Sequence, residues 1–205
     1  MNNRTLVLGS SSPYRQTILD RLQLTYQVAK PDIDESPLTD ETPHALVKRL
    51  AEAKARAVAV ANSQFADALI IGSDQVALCD GDILGKPYTA SKAIEQLQRF
   101  VGKTITFLTG LCLYDAANDQ CQVSCVPFEV NFRDDLSHAE LVRYVELEQP
   151  LNCAGSFKSE GLGISLFKSL RGDDPNTLIG LPSIELLKML RQHHINPLAS
   201  DNSLA

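Results

Sequence analysis

The chain opens on a short apolar run, Thr5 to Gly9 (TLVLG), which predicts a strand. Past SSSP the apolar spacing becomes helical. Ile18, Leu19 and Leu22 share one face of a helix running from Pro13 through about Leu22, with Ser12 placed to cap it and Pro13 at its first position. Lys30 to Pro43 (KPDIDESPLTDETP) is acidic and proline-rich and predicts a loop. Thr42 and Pro43 then open a helix that extends to about Asn62 on a stripe of Val47, Leu50, Ala51, Ala57, Val58 and Ala61. Leu69 to Ser73 reads as a buried strand closed by Asp74, and Val76 to Leu84 as a hairpin turning on Asp80-Gly81.

In the second half Thr89 caps a helix that ends at Gly102. Thr104 to Tyr114 and Gln122 to Phe132 are long strands rich in β-branched and aromatic residues. Ser137 with Glu140 forms a capping box for a helix through Leu147. A glycine-rich stretch, AGSFKSEGLGISLF, precedes a last helix from Pro182 to His193, with Ile184, Leu187 and Leu190 on one face. Strands and helices alternate early and antiparallel strands cluster in the middle, a pattern that predicts an α/β fold with a mixed sheet. No segment reads as a linker. The expectation is one domain over residues 1–195, followed by a small polar tail, 196–205, that frays.

A formal charge of −6 leaves no basic face with which to grip nucleic acid or an anionic membrane. A small anionic ligand needs only a few local cations. The N-terminal run is too short and too weakly basic for a signal peptide, and no apolar stretch can span a bilayer. The five cysteines are odd in number, lack CxxC spacing and have no histidine near Cys121 and Cys125. Reduced thiols in a cytoplasmic protein follow, with no zinc site.

Candidate chemistry falls at three places. Ser10, Ser11, Ser12, Pro13, Tyr14 and Arg15 form a strand-loop-helix start that favours an anion. Arg15 is out of place for the helix dipole there. A bound phosphate accounts for it; the plainer reading is a serine-rich turn with a surface arginine. Lys54 lies inside the apolar stripe of the second helix, where it either snorkels to the core's edge or meets an anion. Asp74 closes a strand, where ligands of α/β sheets gather, and Lys86 follows a hairpin that could return it near Asp74. Asp34 and Glu35 are either a solvated pair or oxygen ligands for a divalent cation.

GDILGKP fails the P-loop pattern, no serine sits in a GxSxG elbow, and the four histidines are poorly placed for a nucleophile. Carboxylates, lysines, an arginine and hydroxyls remain. That inventory suits metal-assisted attack of water on a phosphate.

The ordered segments LGSSSPYR, DIDES, RLAEAKA, IIGSDQ, LGKP, TFLTG, FEVNFR, CAGSFKSEG and NTLIGLP resemble the Maf family of nucleoside triphosphate pyrophosphatases, over about residues 6–183. SDQ and SFKSEG resemble its 7-methyl-GTP pyrophosphatase subfamily rather than the dTTP/UTP branch. The resemblance implies a twisted mixed sheet flanked by helices, with a cleft between two lobes, as in inosine triphosphate pyrophosphatases. It also implies cleavage between the α and β phosphates, a divalent cofactor (Mg²⁺ or Mn²⁺) and a homodimer. Asp74 matches the catalytic proton acceptor and a metal ligand. Ser10, Ser12, Arg15, Lys54 and Lys86 match the phosphate site, and Glu35 matches an acid that holds metal or water. Tyr14, Gln75 and Glu160 match the positions tied to substrate choice.

The specificity positions have a physical rationale. A methylated guanine is positively charged, so an aromatic face attracts it, and a carboxylate accepts from its N–H groups. The subfamily pattern has Trp where this chain has Tyr14, a weaker aromatic partner. The alternatives are the same chemistry on dTTP, UTP or CTP, or a nucleotide-sensing regulator of cell division without turnover.

Overall fold

The computed structural model describes residues 4–199. Among them are seven strands in one sheet, in the order β2-β1-β3-β5-β6-β7, with β4 pairing β3 off that path. The strands are β1 (Leu6–Leu8), β2 (Gln27–Val28), β3 (Leu69–Cys79), β4 (Asp82–Leu84), β5 (Thr104–Asp115), β6 (Gln120–Phe132) and β7 (Phe167–Arg171). β1 runs parallel to β2 and β3, whereas β4 is antiparallel to β3 and β7 to β6, so the sheet is mixed. The helices are α1 (Pro13–Arg21), α2 (Pro43–Ala61), α3 (Ala90–Phe100), α4 (His138–Glu148), α5 (Pro175–Ile179) and α6 (Ser183–Gln192).

The chain divides into two compact units. Of the described residues, the first holds 4–75, 109–126 and 180–199; the second holds 76–108 and 127–179. The first has an apolar centre of Val7, Ala51, Ala55, Val58, Phe65, Ile70 and Cys112, all buried. Two glycines seat α2 on its strands. A Cβ at Gly72 would lie 2.0 Å from the Ala51 carbonyl oxygen, and one at Gly110 would lie 2.0 Å from that of Val47. In the second unit Phe132 meets Phe100, Phe157 and Phe167 edge-on, with centroids 5.3–5.5 Å apart. That geometry matches the positive edge of one ring to the negative face of the next.

Local signals are realised where side chain and backbone bond directly. Thr42 accepts from Ala45 N at the start of α2, and Ser137 and Glu140 form the reciprocal box at the start of α4. Asp80 and Gly81 both have positive φ, 55° and 90°, and Cys79 faces Asp82 across them, the geometry of a two-residue hairpin.

Other expectations fail where tertiary packing decides. Ser12 stands at the N-cap of α1 but makes no side-chain cap bond. In α2, Leu46 and Ala55 are buried, while Ala57 is half-buried and Ala61 exposed. In α6 the buried face is Leu186, Met189 and Leu190, and Ile184 is 58% exposed. β3 does not stop before Asp74 but runs on to Cys79. Residues 196–199 form a turn, with Ala199 N donating to Asn196 O at 3.0 Å; the rest of the expected tail, 200–205, lies outside the described residues. Among the described residues no helix is long and apolar enough to cross a membrane.

Candidate active site

Gly72 and Asp74 point to the same side of β3, because strand side chains alternate. Ala51 and Lys54, three residues apart, share a face of α2. Without a Cβ at Gly72 the helix backbone reaches the strand, and that approach carries Lys54 onto Asp74. Lys54 Nζ lies 2.6 Å from Asp74 Oδ1 and 2.8 Å from Glu35 Oε1. Lys54 and Asp74 are both buried, at 7% exposure each. The lysine therefore does not snorkel to solvent. Two carboxylates offset the cost of burying its charge.

The residues beside Asp74 point the other way and carry their own bonds. Ser73 Oγ donates to the Gly180 carbonyl at 3.0 Å, and Gln75 Nε2 donates to Thr109 Oγ1 at 2.8 Å. Gly180 has φ +116°, in the region that favours glycine. Its carbonyl also accepts from Arg15 Nε at 2.8 Å. Arg15 Nη1 donates to Ser10 Oγ at 3.0 Å, and Ser12 N donates to the same oxygen at 3.2 Å. Arg15 is thus no surface arginine. Burial pushes its guanidinium below the ordinary value, and the charges of Asp74 and then Glu35 push it back up. It stays protonated throughout.

Polar character hid the true length of β3 from the sequence. The parallel pairing with β1 ends at Leu8 and Ile71, and Gly9 N closes on Ile71 O at 2.8 Å. Ser73, Asp74 and Gln75 extend past that point. The carboxyl end next to Asp74 is therefore that of β1, where the Ser10–Arg15 segment begins.

Ser10, Arg15, Glu35, Lys54 and Asp74 come together in the first unit. Tyr14, 38% exposed, and half-buried Gln75 belong to it as well. Lys86 and Glu160 belong to the second unit and are exposed there; Glu160 Oε2 accepts from Ser159 Oγ at 3.4 Å. Ser73, Thr109 and Gly180 escaped the sequence reading. Thr109 and Gly180 lie within TFLTG and NTLIGLP, whose glycines were the available signal.

Asp74 and Glu35 both reach one ammonium, so two oxygen donors converge on a single cation position. Among the described residues no group of three or more His, Cys, Asp or Glu side chains could hold a metal. Asp74 and Glu35 would be the oxygen donors to a hard ion such as Mg²⁺, with waters and substrate phosphate oxygens completing its shell.

Three proteins named 7-methyl-GTP pyrophosphatase are similar to this chain. That of Idiomarina loihiensis is 62% identical over 96% of this chain and 98% of its own. That of Colwellia psychrerythraea is 55% identical over 98% of both, and that of Vibrio cholerae is 55% identical over 96% and 99%. The Ham1 protein of Staphylococcus aureus shares the fold, with a TM-score of 0.53 at 14% identity, over 94% of this chain and all of that one. Residues 5–193 match the family described as Maf-like protein. With that match over nearly its whole length, the chain belongs to the Maf family.

Proposed function

We propose that this chain is a cytoplasmic nucleotide pyrophosphatase that hydrolyses 7-methyl-GTP to 7-methyl-GMP and diphosphate. The observation that carries the reading is the buried Lys54–Asp74 pair joined to Glu35, with the Arg15 guanidinium in the same unit. The relatives' names supply the substrate.

The roles follow from charge and reach. Asp74 accepts the proton of the water that adds across the α–β bond. Lys54 is held against Asp74 and supplies positive charge for the phosphate oxygens as the bond breaks. Arg15, fixed by Gly180 and Ser10, offers a second cation, and the Ser10 and Ser12 hydroxyls offer donors. Asp74 and Glu35 would be the residues to hold a divalent ion, which would supply charge neutralisation at the phosphate oxygens. Tyr14 presents an aromatic face to the cationic methylated base, and Gln75 presents an amide to its edge. Lys86 as a further phosphate cation and Glu160 as an acceptor for guanine N–H groups join the proposal on sequence grounds.

Product analysis by phosphorus NMR tests the reading. With Mg²⁺ the protein should convert 7-methyl-GTP to the monophosphate and diphosphate, and EDTA should stop it. Release of inorganic phosphate with 7-methyl-GDP would overturn the assignment of the cleaved bond.

A further inference from the structure

Helix α2 carries, five residues before Lys54, a second cation whose bonds go to the acidic loop. Arg49 Nε lies 2.6 Å from Glu41 Oε1, and Nη2 lies 2.7 Å from Glu41 Oε2, a two-pronged fork. Nη2 also donates to the Ser36 carbonyl at 3.0 Å. Glu41 Oε2 accepts from Leu38 N at 3.0 Å, and Ser36 N donates to Asp34 Oδ1 at 2.9 Å. Between Asp34 and Ser36 stands Glu35, the carboxylate that reaches Lys54.

Between Val28 and Pro43 there is no helix or strand, and the Glu35 side chain is 59% exposed. A loop with no backbone ladder keeps one conformation only where side chains fix it. Three of the fixing bonds come from one guanidinium, carried by the same helix as Lys54.

We propose that Arg49 is a positioning residue for Glu35. By clamping the Ser36 carbonyl and the Glu41 carboxylate, it holds the Glu35 carboxylate at Lys54 and beside Asp74. Glu41 is the loop's half of that clamp. The catalytic part of this inference rests on the pyrophosphatase reading; the placement of the loop does not.

Arg49 also feels the charge of Asp74, so the test separates action through Glu35 from a direct field on Asp74. Diphosphate release is compared for wild type, Arg49→Ala, Arg49→Lys, Glu35→Gln and the Arg49→Ala/Glu35→Gln double variant. Hydrogen exchange follows the Ser36 and Leu38 amides. Arg49→Ala should lower kcat by about ten- to a hundredfold, as loss of an outer-layer positioning group does. Added to Glu35→Gln, it should cost less than about twofold more, because the two act as one unit. Arg49→Lys should recover only part, since an ammonium cannot hold both the fork and the carbonyl. Both amides should exchange faster in Arg49→Ala. Glu41→Gln, which leaves the helix untouched, should reproduce these results if Arg49→Ala fails to fold.

A full Arg49→Ala loss in the Glu35→Gln background overturns the proposal. So does a Glu35→Gln variant as active as wild type, or unchanged exchange at Ser36 and Leu38. If wild type turns over no nucleotide, the pyrophosphatase reading fails instead, and exchange alone decides the placement: faster sustains it, unchanged overturns it.

Discussion

The ammonium of Lys54 stands 2.6 Å from the carboxylate of Asp74, and both side chains are buried. Removing one partner leaves the other charge buried without compensation. Lys54→Met should therefore destabilise the protein by about 3–5 kcal/mol. Adding Asp74→Asn should return part of that loss. Urea unfolding of the two single variants and the double reads the coupling, and strict additivity would contradict it.

The approach of α2 to β3 at Gly72 is what brings that pair together. Gly72→Ala puts a Cβ 2.0 Å from the Ala51 carbonyl oxygen, which belongs to helix backbone and cannot rotate away. The expected cost is about 1–3 kcal/mol or more. Activity should fall beyond what unfolding accounts for, because the helix shift separates Lys54 from Asp74. Turnover per folded molecule, measured below the thermal transition, checks this.

Acid sensitivity follows from two clamped carboxylates. The Arg4 guanidinium, with help from Asn118, holds the Asp115 carboxyl well below its ordinary 3.8. The Arg49 fork pulls Glu41 from 4.5 down to about 2. A depressed folded-state pKa contributes stability that is present above the unfolded value and is lost as pH falls toward the folded one. Asp115→Asn and Glu41→Gln should each be less stable than wild type at pH 7, and the gaps should narrow below about pH 4. Urea midpoints at pH 7 and pH 3 measure both gaps.

On the proposed reading Tyr14 would give the base an aromatic face weaker than an indole. Tyr14→Trp should raise the preference for 7-methyl-GTP over GTP by about a few fold, and Tyr14→Ala should lower it. Ratios of kcat/KM for the two nucleotides check both directions. A ratio unmoved in either variant would remove the base from that face.

Short-range chemistry was the legible part of the sequence. The Thr42 cap, the Ser137–Glu140 box and the Asp80-Gly81 turn each need only neighbours in the chain. The mixed sheet followed from the order of such pieces. β3 was cut short because Ser, Asp and Gln resemble a turn until their partners are known: Gly180, Lys54 and Thr109 lie 107, 20 and 34 positions away. On α6 the pattern places Leu190 correctly in the core but also Ile184, because Ile184 outranks Met189 in hydrophobicity while packing chooses the reverse. Lys54 was legible as an anomaly in an apolar stripe; its two carboxylates were not. Arg49 lay in a quoted motif, yet nothing in its spacing said that it reaches Ser36 and Glu41.

Steady-state diphosphate release with Mg²⁺, on 7-methyl-GTP and GTP, for wild type and Asp74→Asn, tests the central claim most directly. The account predicts turnover by wild type with 7-methyl-GTP preferred, and a loss of kcat in Asp74→Asn of about a hundredfold or more, as expected for a general base. Asp74→Asn with wild-type turnover would contradict the assigned base, and wild-type preference for GTP would contradict the substrate.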